Sequence, residues 1–325
     1  MSKLILVDFS GIFYRYVIPH YHKLEREQKD MHGAPLNLED IYNFGRESIL
    51  RVLINYRNKL GKSGSFSDIV LCADSYSWRK DKYDFYKRER SEAKDESDFD
   101  WDAFYAFMDK LLYELRDIFN IGTIKVNGAE GDDIIGTLIH EYHDQFKRMI
   151  IISSDHDFKQ LFKYKCVKIY DPQINDYIER VSGSKYKLAH ILMGDRGDGI
   201  PNVFTRADHY INPKYNKDGK KERAVSFGEV KFESLFGSDI DSETKKQNLE
   251  EIKNNNKKRF KQNKTLIDLS CTPKHIKLLI KEQYKFIKLS KRKNKMCRKT
   301  IMDYLKEHRL RDIRKDIIVG NLKII

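Results

Sequence analysis

Residues 149–158 read Met-Ile-Ile-Ile-Ser-Ser-Asp-His-Asp-Phe, and this stretch decides the fold. Four apolar residues in a row, Met149 to Ile152, suit a strand covered on both faces, as strands of parallel sheets are. Asp155 and Asp157 follow directly beyond its end. In an open parallel sheet the ligand site lies past the carboxyl ends of the strands, so a carboxylate pair here sits where function is usually built.

The same grammar recurs along the chain. Short apolar runs predict strands at Leu4–Val7, Asp68–Ala73, Thr123–Val126, Met149–Ser153 and Val167–Tyr170. Amphipathic stretches predict helices over 38–60, 101–119, 130–146 and 156–163. Alternation of this kind gives an α/β fold, a mostly parallel central sheet flanked by helices. Two segments break the pattern. Residues 78–100 (WRKDKYDFYKRERSEAKDESDFD) are almost wholly charged and aromatic and read as a mobile excursion over the surface. Residues 205–231 hold Pro, Gly and Asn without periodicity and read as a loop or a small ordered turn region. Beyond residue 240 the chain turns basic and helical: Lys245 to Lys299 contains 19 Lys/Arg against 4 Asp/Glu, with apolar residues at helical spacing through Ile276, Leu279, Ile280, Tyr284 and Ile287.

Charge points to a polyanionic partner. Over 325 residues, 62 Lys/Arg against 49 Asp/Glu give a net charge of +13. Binding to phosphates releases condensed counterions, which favours a nucleic acid, although a merely soluble basic protein has the same balance. No run of roughly 18 apolar residues is present, so no membrane span is expected. The opening Met-Ser-Lys-Leu-Ile-Leu-Val-Asp has only four apolar residues in succession and no small-residue cleavage site, and reads as a strand rather than a signal peptide. Cys72, Cys166, Cys271 and Cys297 form no CxxC pair, which fits a reducing, cytosolic compartment without a structural zinc site.

The carboxylates carry the chemistry. Asp8 ends the first strand and Asp74 the second, while Asp155 and Asp157 follow the apolar run. Glu130, Asp132 and Asp133 open a predicted helix in GAEGDDIIGTLI, with 130 and 133 on one face. Asp195 and Asp198 stand three apart in the Gly-rich GDRGDG. Each has a plainer reading as a helix cap or a favourable first-turn charge. Gathered together without cations they would repel strongly. Hard divalent ions with oxygen ligands relieve that repulsion, and a set with no histidine disfavours zinc. Two Mg²⁺ ions, with Mn²⁺ as a substitute, roughly 4 Å apart would suit an in-line displacement at phosphorus.

In order and spacing, LILVDFS, LCAD, YSWRKDKYDFYKRER, EGDD, IIISSDHDF, ILMGDRGD and RFKQNKTLIDL resemble the flap endonuclease/5′-3′ exonuclease family, and within it the ribonuclease H branch of T-even bacteriophages. The resemblance spans nearly the whole chain. It implies a 5′ nuclease core over 1–185, with an arch at 78–110, followed by a helical DNA-binding region over 186–325 that ends in basic helices. It assigns Asp8, Asp74, Glu130, Asp132 and Asp133 to a first metal cluster, and Asp155, Asp157, Asp195 and Asp198 to a second. The phage branch carries Asn at the position of Asp132. Lys87 and Arg90 match the basic pair that bridges to the scissile phosphate, where a cation would stabilise developing charge. Tyr86 is expected to stack on an unpaired base, and Arg79, Lys80 and Lys82 to grip the backbone. After Asp198 many relatives carry a helix–three-turn–helix element with a Gly-x-Gly turn, often holding potassium. Here Gly199-Ile200-Pro201 starts that way, but FTRADHY lacks the glycine pair and the lysine.

The resemblance implies a monomer acting on branched or nicked duplex DNA and on RNA/DNA hybrids, with a single-strand-binding protein and a sliding clamp as further partners. Its location would be the cytoplasm, the host's if the gene is a phage's. Two other functions stay open at this stage. A PIN-type ribonuclease shares the sheet and the acidic cluster but is usually shorter and lacks the arch and the second basic region. A non-catalytic nucleic-acid-binding protein gains nothing from negative charge beside phosphate.

Overall fold

In the computed structural model, which describes residues 3–30, 38–60, 68–290 and 297–318, the apolar runs join one six-stranded sheet in the order β3-β2-β1-β4-β5-β6. Strands β1 (Lys3–Asp8), β2 (Ile69–Cys72), β3 (Gly122–Ile124), β4 (Arg148–Ile152) and β5 (Val167–Asp171) are parallel. The short β6 (Asp176–Tyr177) returns antiparallel at the edge. Side chains alternate across a strand, so β1 sends Ile5 and Val7 into one core and Leu4 and Leu6 into the other. β4 likewise splits Ile150 and Ile152 from Met149 and Ile151. Both faces are covered, which is why these strands read as unbroken apolar runs.

The helices are α1 (Phe9–Asp30), α2 (Leu38–Leu60), α3 (Arg88–Asp95), α4 (Trp101–Asp117), α5 (Gly131–Tyr142) and α6 (Gly183–Met193). They continue with α7 (Glu229–Phe236), α8 (Ser242–Asn255), α9 (Lys257–Ile267), α10 (Lys274–Ser290), α11 (Arg298–Glu307) and α12 (Arg311–Ile318). The predicted helix over 156–163 forms as the tighter 3-10 type, His156–Lys163. α1 was not expected. Its sequence contains Gly11, Pro19 and several β-branched or aromatic residues, all poor helix formers. Phe9, Ile12, Phe13 and Val17 nevertheless share one face and are buried against the sheet, and that packing outweighs propensity. Among the described residues, no helix is long and apolar enough to cross a membrane.

One expectation needs correction. The charged stretch 78–100 is not a free excursion: Trp78, Arg79, Tyr83 and Tyr86 are buried, and only from Lys87 onward, through α3 to Asp100, is none of its residues buried. The basic helices near the C-terminus pack onto both faces of the sheet. Ile276, Ile280, Tyr284 and Ile287 of α10 pack into the core beside α5, while Ile301, Tyr304, Leu305, Ile313 and Ile317 of α11 and α12 join the core on the opposite face. Arg46 is buried between these parts. It donates from Nε and Nη2 to the two oxygens of Glu114 at 2.9 and 2.8 Å, and the Tyr304 hydroxyl donates to the same carboxylate at 2.6 Å. Of the expected turn region 205–231, residues 205–228 are irregular and turn-rich, while 229–231 already belong to α7. Of the basic tract 291–299, residues 291–296 lie outside the described residues.

Candidate active site

Strand ends and helix starts converge past the carboxyl ends of the central strands β1, β2 and β4. Asp8 closes β1, where its Oδ1 accepts from Gly11 N at 3.0 Å and its Oδ2 from Ser153 Oγ at 2.8 Å. Asp74 follows β2 and accepts from Gly131 N at 2.6 Å. Glycine suits this close approach, because a Cβ on Gly131 would stand 3.2 Å from the same carboxylate oxygen and press on it. Asp155 caps the 3-10 helix through Asp157 N at 2.8 Å. Asp195 and Asp198 lie on a turn closed by reciprocal hydrogen bonds between Asp195 and Ile200, both 2.7 Å. Gly199 in that turn has φ +72, and a side chain there would run into the Phe85 carbonyl at 2.8 Å.

Electrostatics divide the carboxylates into two kinds. Burial pushes Asp8 up to about 7, with Asp74 and then Asp155 adding to the rise. Burial also raises Asp74 and Asp132, and Glu130 adds to both. Asp157 is pushed up to about 7 by burial, helped by Asp155 and Asp195 and opposed by His190. In each of these groups burial leads, and a neighbouring carboxylate adds to the rise. Glu130 is the opposite case. Burial alone would raise it, but Lys87 and Arg79 outweigh burial and hold it near 2.

Lys87 is the cation at the centre. Its Nζ lies 2.6 Å from Glu130 Oε1 and 3.7 Å from Asp198 Oδ2, and its backbone N–H donates to the Asp198 carbonyl at 2.9 Å. Lys87 holds a left-handed conformation, φ 53, which costs a non-glycine residue about 1–2 kcal/mol and is kept only where surroundings demand it. Arg90 Nη1 approaches Asp198 Oδ1 at 3.4 Å from an exposed position. Two clefts flank the cluster. One, of about 940 Å³, is lined by Asp8, Asp155, Asp157 and Asp195; the other, of about 570 Å³, by Asp74, Glu130, Lys80 and Lys87. Arg90 and Tyr14 border both.

One family model, the 5′-3′ exonuclease N-terminal resolvase-like domain, matches residues 3–188, and the T4 RNase H C-terminal model matches residues 184–317. The ribonuclease H of Enterobacteria phage T4 is 31% identical over 294 residues, covering 89% of this chain and 88% of that protein. The chain belongs to the 5′-3′ exonuclease family. A 5′-3′ exonuclease of Buchnera aphidicola is 28% identical over 51% of this chain and 59% of its own length. The exonuclease fold is shared with the T5 D15 protein co-crystallised with metal ions, at TM-score 0.56 and 15% identity over 88% of this chain and 98% of that one. It is shared too with the T5 D15 flap endonuclease bound to DNA and metal ions, at TM-score 0.54 and 15% identity over 88% and 100%.

Several sequence expectations meet a different geometry in this exonuclease. Asp133 does not join the cluster. It is fully buried, and its carboxylate accepts from Arg79, Trp78 Nε1 and Thr272 Oγ1 while capping α5 through Glu130 N at 3.1 Å. Arg79 grips no backbone: it is 2% exposed, bound to Glu130 and Asp133 at 2.8 Å and to the Leu266 carbonyl at 2.7 Å. Tyr86 is 3% exposed and cannot stack on a base. Its hydroxyl joins Glu130 and Asp198, each at 2.9 Å. Lys80 lines a cleft, where its Nζ donates to Ser91 Oγ at 3.3 Å, and Lys82 is exposed.

His190 is the residue the sequence reading missed. Its Nε2 lies 3.1 Å from Asp195 Oδ2 and its Nδ1 3.2 Å from Asp157 Oδ1, so the site is not all-carboxylate. Asp157, His190 and Asp195 together form a group able to hold a metal ion. Burial opposes protonation of His190, but the hydrogen bond to Asp195 and the charge of Asp157 raise its pKa. The only signal in the sequence was its place on α6, five residues before Asp195.

Proposed function

We propose that this chain is a divalent-metal-dependent 5′-3′ nuclease that hydrolyses phosphodiester bonds in 5′-flap and nicked DNA and in RNA/DNA hybrids, removing RNA primers during DNA replication. The observation that carries this reading is the Lys87 ammonium, 2.6 Å from Glu130 and 3.7 Å from Asp198, beside carboxylates that burial and neighbouring charge hold above their usual range. Family membership and the names of the T4 ribonuclease H and the T5 flap endonuclease support the substrate class. A replication role would bring a single-strand-binding protein and a sliding clamp as partners, and for a phage chain the host cytoplasm as its place of work.

The donor set fits hard divalent ions, because carboxylates held above their usual range by burial, and further by their neighbours' charge, lose that cost when a cation arrives. Asp8, Asp74, Glu130 and Asp132 would hold one ion, and Asp157, Asp195 and Asp198 another, with Asp155 close to both groups. Mg²⁺ is the first choice and Mn²⁺ a substitute. Bound there, the ions supply Lewis-acid polarisation of the phosphate and a water acidic enough to attack at neutral pH. Lys87 and Arg90 orient the scissile phosphate and balance the charge that builds on its oxygens. Tyr86 keeps Glu130 and Asp198 at fixed separation. Lys80, Lys82 and the basic helices within 186–325 track the phosphate backbone and release counterions.

Lys87→Ala should lower single-turnover cleavage of a 5′-flap by about 10²-fold. Folding should hold, since Glu130 keeps its hydrogen bonds from Arg79, Ser77 and Tyr86. Wild-type rates in this variant would remove Lys87 from the chemistry.

Metal and proton compete for the same oxygens. A carboxyl whose folded pKa is raised, as for Asp8 and Asp157 at about 7, adds stability that is complete below its unfolded pKa and lost as pH rises through 7. The chelated protein should therefore lose Tm between pH 5 and pH 8. Mg²⁺ should raise Tm more at pH 8 than at pH 5, because at low pH its sites are protonated. Equal Mg²⁺ shifts at both values, read by thermal denaturation, would contradict the assignment.

A further inference from the structure

No residue of α3 is buried, so apolar packing does not decide where this helix lies. Yet α3 carries Arg90 and starts from Lys87, the two cations aimed at the carboxylates. At its N-terminal end Lys87 N–H holds the Asp198 carbonyl, and Glu89 pairs with Arg196 at 2.8 Å. At its C-terminal end a different device appears. Lys94 Nζ stands 4.6 Å from the Trp101 ring centroid, 5.0 Å from Tyr105 and 5.6 Å from Tyr14. It donates to the Tyr105 hydroxyl and lies 3.5 Å from that of Tyr14. The two hydroxyls are themselves 2.5 Å apart.

Three aromatic faces around one ammonium make a cage whose hold comes from ring quadrupoles and needs a cation. Tyr14 belongs to α1, which starts directly after Asp8, and Trp101 and Tyr105 belong to α4. Lys87, Arg90, Ser91 and Lys94 follow the helical 3–4 spacing and line the same cleft. An anchor at Lys94 therefore fixes the rotation and tilt of the stripe that ends at the scissile position. We propose that Lys94, seated in the Tyr14–Trp101–Tyr105 cage, is a positioning residue that holds α3 with Lys87 and Arg90 against the carboxylate cluster. Its bearing on catalysis rests on the nuclease reading above, whereas its hold on α3 does not.

The test uses the full chain with Lys94→Met, which keeps an apolar stem, and Lys94→Arg, which keeps the cation. Lys94→Met should speed hydrogen exchange of the amides in 88–95 about tenfold and leave exchange in β1 and β4 unchanged. It should lower the Mg²⁺-supported flap-cleavage rate at saturating substrate about tenfold, with KM within about twofold. Lys94→Arg should restore both readouts to within about threefold, since guanidinium also binds ring faces. Unchanged exchange in α3 with Lys94→Met overturns the hold. Fast exchange with wild-type cleavage overturns the positioning role and spares the nuclease reading. Equal damage from Arg and Met overturns the cation–ring basis. If the wild type cleaves neither flap nor hybrid, the nuclease reading fails and exchange alone judges the cage.

Discussion

Asp8→Asn should cut cleavage of a 5′-flap or an RNA/DNA hybrid by at least about 10³-fold, while duplex binding stays within about threefold of wild type. The amide oxygen of Asn can still accept from Gly11 N, and its nitrogen can meet Ser153 Oγ, so the end of β1 keeps its shape. What disappears is one negative charge among carboxylates that already repel: Asp74 and Asp155 both push Asp8 toward its neutral form. The chelated variant should therefore be as stable as the chelated wild type or more so, a gain that accompanies lost activity when strain at a site is relieved. The stabilisation by Mg²⁺ should shrink in parallel with the rate. Activity within tenfold of wild type would sink the role given to Asp8, and so would an unchanged Mg²⁺ shift in Tm.

Much of the fold was legible because its signals are local. Four or five apolar residues in succession at β1, β2 and β4 leave a doubly covered strand as the economical reading, and a carboxylate at each end followed from the topology. α1 was illegible because its Pro19, histidines and tyrosines argue against helix locally, and the sheet surface that overrides them comes from residues far along the chain. β6 has only two residues and pairs at an edge, too short for periodicity to register.

The site was legible where one residue carries its own role and obscure where roles are shared between distant residues. Asp8, Asp74, Asp155 and Asp157 reveal themselves by following strands. His190 takes its meaning from Asp157, 33 positions earlier, and no spacing rule connects them. The stretch 78–100 misled for a related reason. Its composition is that of solvent-exposed chain, yet the charge of Arg79 is spent inward on Glu130 and Asp133, while Trp78, Tyr83 and Tyr86 enter the cores. Burial of a charge depends on its partners, and the partners here lie more than 50 residues away.

Arg79→Met offers the sharpest test of that inversion. Arg79 donates to Asp133 from Nη1 and Nη2 at 2.8 and 3.0 Å, to Glu130 at 2.8 Å and to the Leu266 carbonyl at 2.7 Å, with almost none of its surface in water. A buried ion pair need not stabilise relative to an apolar replacement of both partners, but removing one partner strands the other. Asp133, fully buried, would keep Thr272 and Trp78 as neutral donors and have no cation. The loss should be about 3–5 kcal/mol, on the order of 10 °C in Tm. Adding Asp133→Asn in the Arg79→Met background should recover part of that loss, because the stranded charge goes with it and the pair is coupled through direct contact. Thermal denaturation of the two single variants and the double variant reads the coupling. If instead Arg79→Met melted like the wild type and failed to bind nicked duplex, Arg79 would be the backbone grip its sequence context suggests, and its inward pairing with Asp133 would be wrong.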